Sequence, residues 1–363
     1  MRAAVLRSIP GKLEIEDVSI DTPGPHEVLV RTAAAGLCHS DLHFMEGKYP
    51  CPVPAVLGHE SAGVVEAVGD LVSYVAPGDH VITCLSVYCG ACEHCLTGHL
   101  SLCDQRAATQ RADGATPRIS QDGAPMYHFF DLSSFAEEML VHEHALVKIP
   151  KEMPLDRAAL IGCGVTTGLG AVFNTAKVEP GTTVAVVGCG GIGLNCIQGA
   201  AIAGAARVLA IDMVPAKLEL ARQFGATDLV DASGGDAVQQ VQALSGGGVH
   251  YAFEAIGLKA TAEQAFAMLR RGGTATVIGM IPLGETVEIP GYELLYEKKL
   301  QGSNMGSNRF RVDMPRYIDL YLQGRLELDA LVSQRITLEE VNDGFAAMKG
   351  GEVARSVIVF EPS

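Results

Sequence analysis

Three residues with metal-binding side chains stand in distinctive local settings. They are Cys38, His59 and Cys163, in the segments 36–41, 58–60 and 162–164. Two thiolates and one imidazole can hold a zinc ion and leave its fourth position open, which is the arrangement of a catalytic zinc. A lone cysteine or histidine more often packs in a core, so the prediction depends on the three acting together. The carboxylates of Asp41 and Glu60 are candidates to accept a hydrogen bond from the second ring nitrogen of His59.

A second cysteine set predicts a closed metal site. Four cysteines lie close together in sequence, and they are Cys89, Cys92, Cys95 and Cys103. Four thiolates can surround one zinc ion completely, which is typical of a structural site. Disulfides and an iron–sulfur site are the alternatives. A nucleic-acid-binding zinc ribbon is excluded, because no lysine or arginine lies between the first and last of these cysteines.

A glycine-rich turn predicts a dinucleotide site. It follows the apolar run 184–187 and opens a helical stretch, and its residues are Gly188, Gly190, Gly191, Ile192 and Gly193. The glycines allow the backbone to approach a pyrophosphate at a helix N-terminus. Asp212 ends the next predicted strand, where its carboxylate would bind the adenosine ribose hydroxyls and repel a 2′-phosphate. We therefore expect NAD rather than NADP.

The predicted secondary structure that must position these residues differs between two parts of the chain. The first 160 or so residues are rich in predicted strands, such as 28–32, 62–69 and 81–83, with a polar segment at 104–130 that reads as a loop. From about residue 164 strands and helices alternate, which predicts right-handed βαβ units and a parallel sheet. Two helices (314–323 and 338–349) and a strand (356–360) follow. The sequence predicts an α/β protein with a Rossmann doubly wound cofactor domain and a β-rich catalytic domain.

Composition narrows the partners and the compartment. The formal net charge of −15 argues against a nucleic acid or an anionic membrane as partner. No uninterrupted apolar run is long enough to predict a membrane span, and the N-terminus does not resemble a signal peptide. The chain has ten cysteines. We expect a cytoplasmic protein, in which clustered cysteines are better explained as thiolate metal ligands than as disulfides.

Together these motifs resemble the zinc-dependent medium-chain alcohol dehydrogenases over nearly the whole chain. The resemblance covers the segments 58–60, 162–168, 188–193, 342–345 and 355–358 together with the four-cysteine lobe, placed at 86–104. The long segment 104–130 is similar to the dimeric branch, which includes liver-type and class III enzymes. The stretches 162–168 and 195–204 are similar to bacterial enzymes that keep their nicotinamide bound.

The family implies a fold, a reaction and partners. It implies a GroES-like catalytic domain at 1–163 and 308–363 and an NAD-binding Rossmann domain at 164–307. It also implies two zinc ions per subunit, a small alcohol or aldehyde as substrate, hydride transfer to or from NAD, and a homodimer, with a homotetramer as the alternative.

The family also implies residue roles. Cys38, His59 and Cys163 match the catalytic zinc ligands, with Glu60 beside them, and Ser40 and His43 match a relay that carries the substrate proton to solvent. The cofactor contacts fall on His39, Thr167, Ile192, Asp212, Lys217 and Arg355. Candidate pocket residues are apolar: Leu42, Phe44, Tyr49, Cys51 and Phe129.

Two departures bear on function. His39 stands where many relatives have arginine, which predicts a weaker grip on the pyrophosphate and faster release of NADH. Ala107 stands where the glutathione-dependent branch has an arginine, which argues against S-hydroxymethyl-thiol substrates. The alternatives are a dehydrogenase with permanently bound NAD, an S-hydroxymethyl-thiol (formaldehyde) dehydrogenase and, in a different class, a non-catalytic cofactor-binding or redox-sensing protein.

Overall fold

The computed structural model describes residues 1–351 and 354–361, which form two compact units. One unit contains Met1–Cys163 together with the C-terminal residues from Arg309 onward, and the other contains Gly164–Asn308. Each unit has a sheet system and a core of its own.

The N-terminal part of the first unit is built mainly from strands. Its strands are β1 Arg2–Leu6, β2 Leu13–Asp17, β3 Ser19–Ile20, β4 Glu27–Gly36, β5 Ala55–Val56, β6 Ser61–Val68, β7 His80–Thr83, β8 Ile119–Gln121, β9 Ala124–Pro125, β10 Tyr127–His128, β11 Glu138–His142 and β12 Leu146–Ile149. Its helices are α1 His39–Met45, α2 Glu93–Leu96 and α3 Leu155–Leu160.

The second unit alternates strands and helices. Its strands are β13 Thr183–Val187, β14 Arg207–Asp212, β15 Asp228–Asp231, β16 Val249–Glu254, β17 Leu269–Val277 and β18 Lys299–Gly302. Its helices are α4 Thr166–Gly170, α5 Gly191–Ile202, α6 Pro215–Gln223, α7 Ala237–Ser245 and α8 Lys259–Ala267. The chain then returns to the first unit through α9 Phe310–Leu322, β19 Val332–Ile336, α10 Val341–Gly350 and β20 Arg355–Val359.

The sheet of the second unit is parallel throughout, in the order β15-β14-β13-β16-β17-β18. The order reverses between β14-β13 and β16, which is the switch point at which dinucleotides bind in doubly wound folds. The predicted parallel sheet is confirmed. Strands β15 and β18 are not predicted by the sequence pattern, because each carries only one or two apolar residues, too few for a periodic signal.

The main sheet of the first unit runs β12-β7-β6-β4-β20-β19, with β11 also paired to β4. A smaller sheet runs β10-β5-β1-β2. Strand β20 pairs antiparallel with β4, so the C-terminal segment completes a sheet begun by the N-terminal part. The segment 104–130, predicted as a loop, contains the short strands β8 to β10 and 3₁₀ turns.

The sequence pattern does not predict the long helical stretch Leu155–Ala176. It comprises α3, a π-helical turn at Ile161–Val165, α4 and a second π-helical turn at Ala171–Ala176. By length and composition alone it could cross a membrane, but 83% of its most apolar window is buried inside the protein. It is therefore a buried core helix.

Candidate active site

The three predicted catalytic zinc ligands meet in the first unit. The donor atoms of Cys38, His59 and Cys163 all lie within 4.8 Å of one another, and all three residues are buried. Cys38 is the N-cap of α1, His59 lies two residues before β6, and Cys163 lies in the first π-helical turn, Ile161–Val165. π-Helical turns are rare in proteins, and those that occur are often found at functional sites.

A close approach of the helix to the sheet places Cys163. A Cβ on its neighbour Gly162 would stand 2.7 Å from the carbonyl oxygen of Thr83 in β7, a distance that real Cβ atoms do not adopt. Glycine at this position therefore lets the turn lie directly against the strand and brings the thiol to the other two donors.

The orientation of His59 is set by Asp41. Its Nδ1 lies 3.0 Å from Oδ1 of Asp41, and both side chains are completely buried. The same carboxylate accepts hydrogen bonds from the backbone N–H groups of Cys38 (3.2 Å) and Gly58 (3.3 Å). No described residue bonds Nε2 of His59, although that atom is buried. A buried, unpartnered imidazole nitrogen beside two thiol groups fits a zinc ion.

Electrostatics in this site favour thiolate at Cys38. The hydrogen bond from Cys163 lowers the pKa of Cys38 well below its usual value, and Arg355 acts in the same direction. That hydrogen bond and burial raise the pKa of Cys163. Arg355 is buried, and its Nε lies 3.6 Å from Oε1 of Glu60. Glu60 thus lies beside Arg355, and the carboxylate of Asp41 makes the contact with Nδ1 of His59.

The predicted relay residues share one helix. Ser40 and His43 lie three residues apart on α1, a spacing that puts side chains on one face. Oγ of Ser40 is 3.7 Å from Sγ of Cys38. Burial lowers the pKa of His43, so the imidazole is neutral at pH 7 and able to accept a proton. The His43 ring stacks on the Tyr49 ring, with 6.3 Å between the ring centroids.

An aromatic cluster lies against His59, one of the predicted metal ligands, and its members are Phe44, Tyr49, Phe129 and Phe130. The Phe130 ring centroid is 5.4 Å from that of His59 and 4.3 Å from that of Phe129. Phe44 contacts both phenylalanines edge-on, at 5.0 and 5.5 Å. The other three residues are among the predicted pocket residues, whereas Phe130 is not. Its φ of +50° is a strained conformation that no sequence pattern in the segment announces.

The four lobe cysteines also converge. Neighbouring sulfur atoms lie 3.4 to 3.9 Å apart, namely Cys92–Cys95, Cys89–Cys95 and Cys92–Cys103. Four sulfurs arranged tetrahedrally at the usual Zn–S distance are about 3.8 Å apart, so the spacing suits one zinc ion. All ten cysteines are free, which removes the disulfide alternative. Backbone N–H groups of Ala91 and Cys92 lower the pKa of Cys89 to about 7.

The dinucleotide loop lies in the second unit with the geometry that a pyrophosphate requires. Gly188 has a φ of +95°, and a Cβ on Gly193 would stand 1.7 Å from the Gly188 carbonyl oxygen, so neither position tolerates a side chain. Gly190 is the N-cap of α5, has open space before it and provides no capping side chain. The first N–H groups of α5 are thus available to an anion.

The remaining predicted cofactor residues are divided between the units. Asp212 ends β14, and its two carboxylate oxygens accept hydrogen bonds from the backbone N–H groups of Cys189 (2.8 Å) and Val214 (3.0 Å). Lys217 is half-buried on α6. Thr167 and Ile192 lie on α4 and α5, which pack together. His39 is exposed on α1 and Arg355 is buried in β20, both in the first unit, so their roles toward a pyrophosphate stay predictions.

Comparisons with known proteins agree on both units. Residues 24–151 match the alcohol dehydrogenase GroES-like domain, and residues 191–323 match the zinc-binding dehydrogenase family. An alcohol dehydrogenase class-3 from Cereibacter sphaeroides is 39% identical over 99% of both chains. An S-(hydroxymethyl)glutathione dehydrogenase from Escherichia coli O1:K1 / APEC is 40% identical over 98% of this chain and 99% of its own.

Solved structures agree as well. An alcohol dehydrogenase zinc-binding domain protein from Burkholderia ambifaria superposes with a TM-score of 0.94 at 38% identity, covering 99% of both chains. Benzyl alcohol dehydrogenase from Acinetobacter calcoaceticus superposes equally well, with a TM-score of 0.94 at 33% identity and 99% coverage of both chains.

Proposed function

We propose that this chain, which belongs to the zinc-dependent alcohol dehydrogenase family, acts on primary alcohols and aldehydes that carry an aromatic or similarly bulky apolar group. The family resemblance seen in the sequence is confirmed, and with it the enzyme class: a zinc-dependent oxidoreductase that interconverts alcohols and carbonyl compounds with NAD. The substrate class and the roles of individual residues are the proposal.

The aromatic cluster carries this proposal. Phe130 and Phe129 both pack on the His59 ring, so an oxygen bound near that histidine would have its carbon substituent among phenylalanine rings. Each contact between such a ring and an aromatic substituent contributes about 0.5–1.5 kcal/mol to the binding free energy, in addition to the burial of apolar surface. The structural relative named benzyl alcohol dehydrogenase is consistent with such a substrate.

In the proposed mechanism, the chain positions the substrate and moves one proton. When bound, zinc supplies Lewis-acid polarisation of the substrate oxygen and NAD supplies the hydride acceptor. Cys38, His59 and Cys163 would hold the metal, and Asp41 keeps Nδ1 of His59 protonated so that Nε2 can bind. Oγ of Ser40 would accept the substrate hydroxyl proton while its own hydroxyl proton moves toward His43. His43 would pass a proton on to solvent, since burial lowers its pKa and keeps the imidazole neutral at pH 7.

A substrate panel tests the proposal. We expect kcat/KM with NAD to be at least about 10-fold higher for benzyl alcohol than for ethanol, since several ring contacts contribute. Phe130→Ala should lower the value for benzyl alcohol about 10-fold and leave that for ethanol nearly unchanged. The exposed substitution Leu71→Ala is the matched control.

The competing candidate is S-(hydroxymethyl)glutathione, because several relatives carry that name. The adduct of formaldehyde and glutathione therefore belongs in the same panel. If it outperforms benzyl alcohol, or if Phe130→Ala affects both alcohols equally, the proposed substrate class is wrong. NAD that stays with the protein through gel filtration would instead identify the permanently bound form.

The proposed assembly is a homodimer formed through the second unit. Tyr292, Leu294 and Leu295 are exposed, the last at 76%, and precede the edge strand β18. An exposed apolar patch beside an unpaired strand edge is suited to a second copy. Light scattering after gel filtration should give a dimer mass that Leu295→Glu reduces; a monomer or a tetramer would contradict the proposal.

A cytoplasmic location is also a proposal. The ten free cysteines and two thiol-rich metal sites suit a reducing compartment. Fractionation of the source cells with an antibody to the protein tests it; recovery outside the cytoplasmic fraction would overturn it.

A further inference from the structure

A completely buried carboxylate, Glu254, lies outside the metal site. It is the last residue of β16 and has no exposed surface. Its Oε1 accepts three hydrogen bonds, from the backbone N–H groups of Ile256 (2.9 Å) and Gly257 (2.7 Å) and from Oγ1 of Thr261 (2.8 Å). Within the described ranges, Oε2 has no hydrogen-bond partner and no cationic side chain pairs with the carboxylate.

These bonds fix the turn that follows β16. The Ala255 N–H donates to the carbonyl of Val187 at the end of β13, and Gly257 has a left-handed φ of +93°. Ile256 lies directly over Gly188, because a Cβ on that glycine would stand 2.5 Å from Cγ1 of Ile256. Glu254 therefore determines where Ile256 sits relative to the first glycine of the dinucleotide loop.

The position of this turn in the sheet indicates a role. β13, β14 and β16 end side by side, at the switch point where a dinucleotide binds. Ile256 is 43% exposed there despite being apolar. A buried carboxylate without a counter-charge is costly, and an apolar residue in its place would usually be tolerated better by the core. The residue type thus suits the task of holding two successive backbone N–H groups.

We propose that Glu254 is a positioning residue of the NAD site: it holds the turn 255–257 so that Ile256 forms an apolar wall beside the dinucleotide loop. Because Glu254 is completely buried, its proposed action on the nucleotide passes through Ile256. The inference does not depend on the proposed substrate class, because it concerns only nucleotide affinity.

Binding of NADH to the zinc-loaded, full-length enzyme tests it, with any bound nucleotide removed first. The dissociation constant is measured from nicotinamide fluorescence. Glu254→Leu removes the acceptor and should raise the constant at least about 10-fold, whereas Glu254→Gln keeps an acceptor and should stay within about 3-fold. Ile256→Ala should raise it about 5-fold with Glu254 intact. Glu285→Leu, at an exposed position, is the control.

Thr261→Val is a milder variant that keeps the test possible if Glu254→Leu does not fold. It removes one of the three hydrogen bonds and should raise the NADH dissociation constant about 2- to 4-fold. Zinc content and kcat at saturating NAD should stay at the wild-type values. If Thr261→Val or Glu254→Leu lowers the melting temperature while NADH binding changes less than 2-fold, Glu254 is only structural. An unchanged constant in Ile256→Ala would also overturn the proposal.

Discussion

Replacing Asp41 should weaken the catalytic zinc site without affecting the lobe. The Asp41 carboxylate receives one hydrogen bond from the His59 ring at 3.0 Å and two from backbone N–H groups. A hydrogen bond to a charged group contributes about 1.5–3 kcal/mol. Losing the bond to His59 alone therefore predicts a zinc affinity lower by about 10–100-fold, the range measured when the partner of a metal-bound histidine is removed.

Two substitutions of Asp41 distinguish the effect of its negative charge on zinc affinity from the effect of its hydrogen bonds. Asp41→Asn retains one acceptor for the His59 ring but loses the charge, so zinc affinity should fall only about 3–10-fold. Asp41→Ala leaves three buried donors unsatisfied and should show the full loss. The exposed Asp70→Ala is the matched control.

Zinc transfer to a chromogenic chelator measures the effect. Two sites should give two phases, and the lobe phase serves as an internal reference in every variant. Only the phase of the catalytic site should accelerate in Asp41→Ala. If both phases accelerate together, the substitution has loosened the whole protein, and if neither changes, Asp41 does not support the metal ligand; either result refutes the reasoning.

Three further predictions concern the lobe, the cofactor and the relay. Cys95→Ala should remove one zinc per subunit and lower the melting temperature, because metal binding there contributes to folding; unchanged metal content and melting would contradict a zinc lobe. Asp212→Gly should weaken the preference for NAD over NADP and also raise KM for NAD, since two backbone N–H groups lose their acceptor; equal wild-type efficiency with both cofactors would contradict the role. Burial lowers the pKa of His43, so the neutral base persists below pH 6.5, and activity should fall only when still lower pH protonates it. His43→Gln should lower kcat about 10–100-fold with partial recovery at higher pH or with added buffer bases, and an unchanged pH–rate profile would exclude His43 from the relay.

Much of the site was readable in the sequence because its motifs are local. The lobe cysteines lie within one short segment, and the glycine loop is read from a strand, a turn and a helix that are contiguous. The parallel sheet followed from the alternation of apolar runs and helical stretches. Strands β15 and β18 could not be predicted in this way, because their residues carry little strand signal. They are extended because they pair with β14 and β17.

Other features depend on the approach of segments far apart in the chain. The sequence offered Asp41 and Glu60 as equal candidates for His59; the fold gives His59 to Asp41 and pairs Glu60 with Arg355. It placed Cys163 among small residues but not on a π-helical turn. It contained no signal for Phe130 beside His59 or for Ile256 over Gly188.

The sequence by itself thus determined the chemistry available to this protein: two thiol-rich metal sites, a nucleotide loop and a candidate proton relay. Only the tertiary structure decided which carboxylate contacts His59, which rings surround that histidine and which buried acid bonds the turn that follows β16. The physical reason is that residue type and spacing determine which metal-donor and hydrogen-bonding atoms are present and which local backbone conformations are favoured. Distances between distant segments, and the burial that gives each contact its strength, arise only when strands and helices pack.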